Sequence, residues 1–137
     1  MAISKQLIIQ VPMQIPGDLN PNARVADYLK RQAKRVYQEA VIWLSVEARG
    51  KWERAHRLKW IPLEKAKIDL EFVFPTRRRR DDDNLRASFK CGQDALVKAQ
   101  IIKDDNQECL KMGTIRVSKG SPATIIKVTE LSVEEVK

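Results

Sequence analysis

Cysteine is nearly absent from this chain: Cys91 and Cys109 are the only two in 137 residues. Their spacing matches no metal-binding pattern, which excludes a zinc module and leaves both as reduced, partly buried thiols. Histidine is scarcer still. His56 stands alone, among three Trp, two Tyr and three Phe, and without an evident partner it is assigned a structural or exposed position rather than a catalytic one. No apolar run approaches the ~20 residues needed to span a bilayer. The N-terminal stretch has Lys5 and a short apolar patch but no long apolar region with a small-residue cleavage site, so no signal peptide is expected. A cytoplasmic location without a membrane partner follows as the expectation. No internal repeat or low-complexity segment interrupts the chain, and its length favours one domain over residues 1–137.

Lysine and arginine, by contrast, are abundant: 26 against 18 aspartates and glutamates, for a formal charge of +8. The excess is uneven. Residues 1–80 hold 17 basic and 8 acidic side chains, whereas residues 81–137 hold 9 and 10. Clustered cations of this kind neutralise phosphates and release condensed counterions, so a polyanionic partner is expected. The hydrophobic fraction of 43% is enough for a folded core.

Periodicity predicts an α+β domain: a small mixed or antiparallel sheet of about four strands with helices packed on it. Gln6–Val11 is apolar and β-branched and stops at Pro12, as a strand does. From Val25 the positions Leu29, Ala33, Val36, Ala40, Val41 and Leu44 share one helical face up to about Ala48, ahead of Gly50, with Lys30, Arg31, Lys34 and Arg35 on the other. Lys30 and Lys34 are candidate phosphate contacts on that basic face. Residues 51–63 lose the period and are assigned to a helix extension or an irregular connection. Residues 65–74 alternate and form the clearest strand, ended by Pro75. A helix then starts near Asp83, with Asp83 as its N-cap, and runs to Gln100. Residues 108–118 and 123–131 are expected to form two antiparallel strands joined by Lys119-Gly120-Ser121-Pro122.

The chemistry concentrates in Arg77-Arg78-Arg79-Arg80-Asp81-Asp82-Asp83-Asn84. On an extended backbone Asp81 and Asp83, two residues apart, point to one side and Asp82 to the other. Paired carboxylates suit Mg²⁺, a hard cation that takes oxygen ligands and is commonly shared with a substrate phosphate. Arg77, Arg78, Arg79 and Arg80 would hold the phosphodiester. A second acidic pair, Asp104-Asp105, follows the helix. About five helical turns place its ends roughly 25 Å apart, so Asp105 joins the first cluster only if the chain turns back, and spacing alone leaves that open.

In their order, Arg77 to Leu85, then Asp94-Ala95-Leu96, Lys98-Ala99 and Asp104-Asp105 resemble the signature of the RusA-type Holliday junction resolvases, small endodeoxyribonucleases common in bacteriophages and prophages, with three extra residues before Asp94. The motifs cover residues 75–107. Pro16-Gly17-Asp18-Leu19-Asn20 with Arg24 is similar to the family's proline-rich opening, a weaker likeness. The resemblance implies a RusA-like fold and a homodimer in a bacterial host cell, serving DNA recombination and repair. It implies Mg²⁺ dependence, with Mn²⁺ as a substitute, and paired symmetric nicking of branched DNA at four-way junctions. It assigns the catalytic, metal-holding aspartates to Asp81, Asp83 and Asp105, and so supplies the return of Asp105.

Two positions depart from the family pattern. Where the family has a lysine four residues after its second aspartate this chain has Ala87, and Lys90 is the candidate replacement. On a continuous helix Lys90 lies seven residues from Asp83, about 700° and hence within roughly 20° of the same face; the competing assignment pairs it with Asp94 at i+4. The other departure is Asp82, where the family has an apolar residue. Two further functions share the charge pattern: a less selective metal-dependent nuclease acting on flaps and other branched DNA, and a non-catalytic DNA-binding module whose acidic turns are solvated.

Overall fold

The computed structural model describes residues 5–76 and 81–131. Its elements are β1 (Gln6–Val11), a short 3₁₀ turn (Gly17–Leu19), α1 (Asp27–His56), β2 (Ala66–Phe74), α2 (Asp82–Ser88), α3 (Lys90–Lys98), β3 (Leu110–Lys119) and β4 (Ala123–Glu130). The four strands form one mixed sheet in the order β1-β4-β2-β3, with β2 and β3 parallel and the other neighbours antiparallel. The α+β class expected from periodicity is the observed one.

Alternation explains the sheet's two faces. Leu7, Ile9 and Val11 of β1, Ala66 to Phe74 at every second position of β2, and Ile126 and Val128 of β4 are buried under the helices. The intervening Gln6, Ile8, Gln10 and Lys127 are exposed. Helix α1 adds Tyr37, Val41 and Ser45, spaced by four and therefore on one stripe. Deep in the core, the Tyr37 hydroxyl donates to Thr124 Oγ1 at 2.8 Å, and Thr124 Oγ1 donates in turn to the Met13 carbonyl at 3.2 Å.

Three expectations about the elements need correction. Helix α1 does not end before Gly50 but continues to His56, closed by Arg57 in the left-handed region at φ 53°. An interior glycine costs a helix only about 1 kcal/mol, and the added turn packs Trp52 edge-on to Trp60, with centroids 5.0 Å apart. Next, β3 and β4 do not form a hairpin: β2 lies between them, and the Lys119–Pro122 connection carries the chain across it. Both strands pair with β2, whose alternating pattern buries one whole side-chain row.

The third correction bears on the site. The single helix expected from about Asp83 to Gln100 is two helices, broken at Phe89, where φ is −82° and ψ 0°. The break lets the Phe89 ring enter the core, edge-on to Tyr37 and Phe72 with centroids 6.4 and 6.1 Å away. Gly92 is required beside it, since a Cβ there would run into that ring. After α3, Gln100 takes a positive φ of 60° and reverses the chain. The return is fixed against residues 60–63: Leu63 N–H donates to the Ile101 carbonyl at 3.1 Å, Lys103 N–H to the Leu63 carbonyl at 2.9 Å, and Trp60 Nε1–H to the Ile101 carbonyl at 3.1 Å.

Candidate nucleic-acid cleavage site

Asp81 is where β2's exit meets α2. It is extended, at φ −85° and ψ 124°, but Asp83 is already helical, so the two do not share a strand face. Asp81, rather than Asp83, is the N-cap: its Oδ1 accepts from the Asp83 N–H at 2.8 Å. The carboxylates of Asp81, Asp82 and Asp83 ring the start of the helix, where negative charge complements the unpaired N–H groups. All three residues are exposed. The arginine loop Arg77–Arg80 lies outside the described residues.

The reversal at Gln100 brings Asp105 back beside the first turn of α3. Lys90 Nζ donates to Asp105 Oδ2 and, at 3.4 Å, to Asp94 Oδ1. Because α2 and α3 are separate, Lys90 does not owe its place to the helical arithmetic that related it to Asp83. The hydrogen bond from Lys90 holds the Asp105 carboxyl below the usual carboxylate range, and its counterpart raises the Lys90 ammonium above the ordinary lysine value. Asp105 itself is positioned by a turn of side-chain caps: its N–H donates to Asp104 Oδ1 at 2.7 Å, Asn106 Nδ2 donates to Asp104 Oδ2 at 3.2 Å, and Asn106 Oδ1 accepts from the Glu108 and Cys109 N–H groups at 2.9 and 3.0 Å.

The basic face of α1 adjoins this cluster. Gln38 Nε2 donates to the Cys91 carbonyl at 3.2 Å, joining α1 to the start of α3. Burial pushes the Cys91 thiol up to about 11, with Lys34 opposing the shift from nearby. The thiol is therefore inert at neutral pH, and both cysteines are free. Lys34 is exposed and Lys30 half-buried.

Between the β1–α1 connection and α2 opens a cleft of about 640 Å³. Gln14, Pro16, Gly17 and Asn20 line one side, and Asp81, Asn84 and Ser88 the other. Ile15, Phe74 and Leu85 supply its apolar surface. The proline-rich opening and the aspartate motif, far apart in sequence, thus meet in one place. Gln14, Asn84 and Ser88 were not singled out by sequence reasoning; the usable signal was that Asn84 directly follows Asp83 inside the motif.

No family model matches the chain. It is similar to the crossover junction endodeoxyribonuclease RusA of Aquifex aeolicus (strain VF5), at 29% identity over 103 residues, 74% of this chain and 78% of the relative. This similarity supports a RusA-type family for the chain. A divalent metal is what such a resolvase suggests, and carboxylate oxygens are the right donors for a hard cation. The arrangement in this chain is nevertheless not a ready-made cage. Among the described residues no group of three or more His, Cys, Asp or Glu side chains is gathered closely enough to hold a metal ion. Asp105 is instead engaged by Lys90, and Asp81 by the Asp83 N–H.

Proposed function

We propose that this chain is a structure-selective endodeoxyribonuclease that resolves four-way DNA junctions by paired symmetric nicks. The observation that carries the reading is the similarity to a protein named as a crossover junction endodeoxyribonuclease, spanning 78% of that relative. Supporting it, the early loop and the aspartate motif line one cleft, and Lys90 reaches Asp105. Recombination and repair of branched DNA would be its setting, in the cytoplasm of a bacterial cell and with a phage or prophage origin for the chain. Among the described residues no helix is long and apolar enough to cross a membrane.

Each residue has a physical task in this reading. Asp81, Asp83 and Asp105 would hold a divalent cation, Mg²⁺ with Mn²⁺ as a substitute, which when bound activates water and balances charge on the phosphodiester. Lys90, paired with Asp105, would offset negative charge that grows at a phosphate. Arg77 to Arg80, with Lys30 and Lys34 of α1, would hold backbone phosphates and set the orientation of the arms. A homodimer would present two such sites to opposing strands, as symmetric nicking requires.

One observation favours a second reading: the absence of a gathered carboxylate group among the described residues suits a DNA-binding module without catalysis. The test is cleavage of a synthetic four-way junction beside linear duplex and flap DNA, with and without Mg²⁺ or Mn²⁺. Metal-dependent paired nicks confined to the junction are expected. Equal cutting of the flap would replace the function by a less selective nuclease, and binding without cutting under any metal by the binding module.

A further inference from the structure

The cleft beside Asp81 has a chemistry of its own. Its described lining offers amides above an apolar floor. Asn20 Oδ1 is used, accepting from the Asn22 N–H at 2.8 Å, and the Ser88 hydroxyl donates to the Asn84 backbone carbonyl at 2.8 Å. The side-chain amides of Gln14 and Asn84, by contrast, make no hydrogen bond to other described residues. Each carries an acceptor and two donors, and paired amide contacts are the means by which Asn and Gln read the edges of bases. Ile15, Phe74 and Leu85 provide the flat apolar contact that a ring face needs. At about 640 Å³ the cleft lies within the usual size of small-molecule sites, roughly 300–1,000 Å³.

The geometry points to a nucleobase as the occupant: one base unstacked from branched DNA, inserted beside Asp81 and read on its edge by Gln14 and Asn84. This rests on the DNA-cleaving function proposed above and adds to it a device for choosing where to cut. Asp81 lies on the cleft's rim, so the recognised base would belong to a nucleotide next to the scissile phosphate. A branch point suits such insertion, because bases already at the end of a stack or unpaired cost least to extrude. Specificity of this kind leaves overall affinity mostly to phosphate contacts.

The glycine at position 17 provides a clean way to close the cleft. A Cβ built there meets nothing within 4 Å, and no glycine among the described residues has a positive φ. Gly17 lines the cleft and has room for a Cβ, so Gly17→Leu adds apolar bulk at its wall while leaving both amides in place. The complementary change, Gln14→Ala with Asn84→Ala, removes the amides and leaves the space.

The experiment uses synthetic four-way junctions carrying 2-aminopurine at each position flanking the branch, mixed with the full chain in EDTA so that no cleavage occurs. Unstacking raises the probe's fluorescence. The wild type is expected to raise it several-fold at one position in each cut arm. Gly17→Leu and the double alanine variant are each expected to lose most of that rise while binding the junction, by gel shift, within about threefold of wild type. In Mg²⁺, cleavage compared across junctions that differ at that nucleotide should show a preference that the double variant flattens about tenfold. Binding without any fluorescence rise, or a rise that both variants retain, overturns the base assignment alone. Failure of the wild type to bind branched DNA overturns both this inference and the function it rests on.

Discussion

Two acidic regions, one at the start of α2 and one beside the first turn of α3, are restrained in opposite ways. At Asp81 the carboxylate is held by backbone: it caps α2 by accepting from the Asp83 N–H. At Asp105 the carboxylate is held by charge, through Lys90, whose ammonium also reaches Asp94. The difference separates two jobs that a spacing rule treats alike. A cap is a local device that asparagine performs nearly as well as aspartate. An ion pair changes protonation and is lost with either partner. Carboxylate-to-amide changes should therefore be nearly silent for the fold at Asp81 and felt mainly through electrostatics at Asp105, yet equally damaging to cleavage if both bind metal.

The largest expected effect tests that equality. Asp81→Asn, Asp83→Asn and Asp105→Asn should each lower junction cleavage by orders of magnitude, with binding intact or tighter because a negative charge facing phosphate is gone. Asp81→Asn should leave the melting temperature nearly unchanged, whereas Asp81→Ala should cost about 1 kcal/mol through the lost cap. Cleavage at wild-type rates in all three Asn variants would remove the assigned site.

Lys90→Ala comes next. If the ammonium stabilises charge developing on the phosphate, the single-turnover rate under enzyme excess should fall by roughly 10², with little loss of binding. If Lys90 serves only Asp94 and Asp105 structurally, the rate should hold and stability should change by a few tenths of a kcal/mol, as for an exposed pair. A smaller effect is expected on affinity: replacing two of Arg77 to Arg80 by Ala should weaken junction binding and reduce the salt dependence by up to about one log unit of slope per lost phosphate contact. Titration of binding from low to high salt measures it directly.

The smallest effect is in pH dependence. The folded Asp105 carboxyl is shifted down, so its contribution to stability is present above the ordinary carboxylate pKa and is lost as pH falls through the lower, folded value. Lys90, shifted up, contributes below the ordinary lysine pKa and loses that contribution as pH rises through the higher, folded value. The Lys90 side chain is 60% exposed, so solvent screens the pair and the gain belongs at the low end of ~0.2–1 kcal/mol. Thermal melts of wild type and Asp105→Asn should differ slightly near neutral pH and converge in acid.

What was legible in the sequence followed from local period. The alternation of residues 65–74 gave β2 within a residue, and Pro12 marked the end of β1. Helix α1 was visible in type but not in length, because the weak cost of Gly50 is overridden by tertiary packing of Trp52 on Trp60. The split between α2 and α3 was hidden: Leu85, Phe89, Gly92 and Leu96 fit one stripe, and only the core's demand for the Phe89 ring breaks it. Nor does spacing reveal that β4 inserts between β1 and β2, since strand order is set by which faces must be buried together. At the site, the family resemblance pointed to Asp81, Asp83 and Asp105, whereas Lys90 was reached by a continuous-helix arithmetic that the break at Phe89 does not sustain. The Lys90–Asp105 contact depends on a left-handed Gln100 that no local preference announces, and the cleft's second wall comes from a loop sixty residues earlier.

The position of β4 also sets a timetable for synthesis. Of the four strands β1 leaves the ribosome first, but among the described residues its ladder is with β4 alone, Gln6 facing Thr129 and Val11 facing Thr124. Until β4 has been translated, β1 has no strand to join and its apolar row of Leu7, Ile9 and Val11 has only helices to cover it. Folding of the sheet thus waits until β4 has been translated, and the β1–β4 contacts that complete it are widely separated in sequence, which slows a domain relative to its size. A nascent chain arrested before Ala123 would carry α1 to α3 and a two-stranded β2–β3 pair, with an unpaired β1 edge open to chaperones and to other copies.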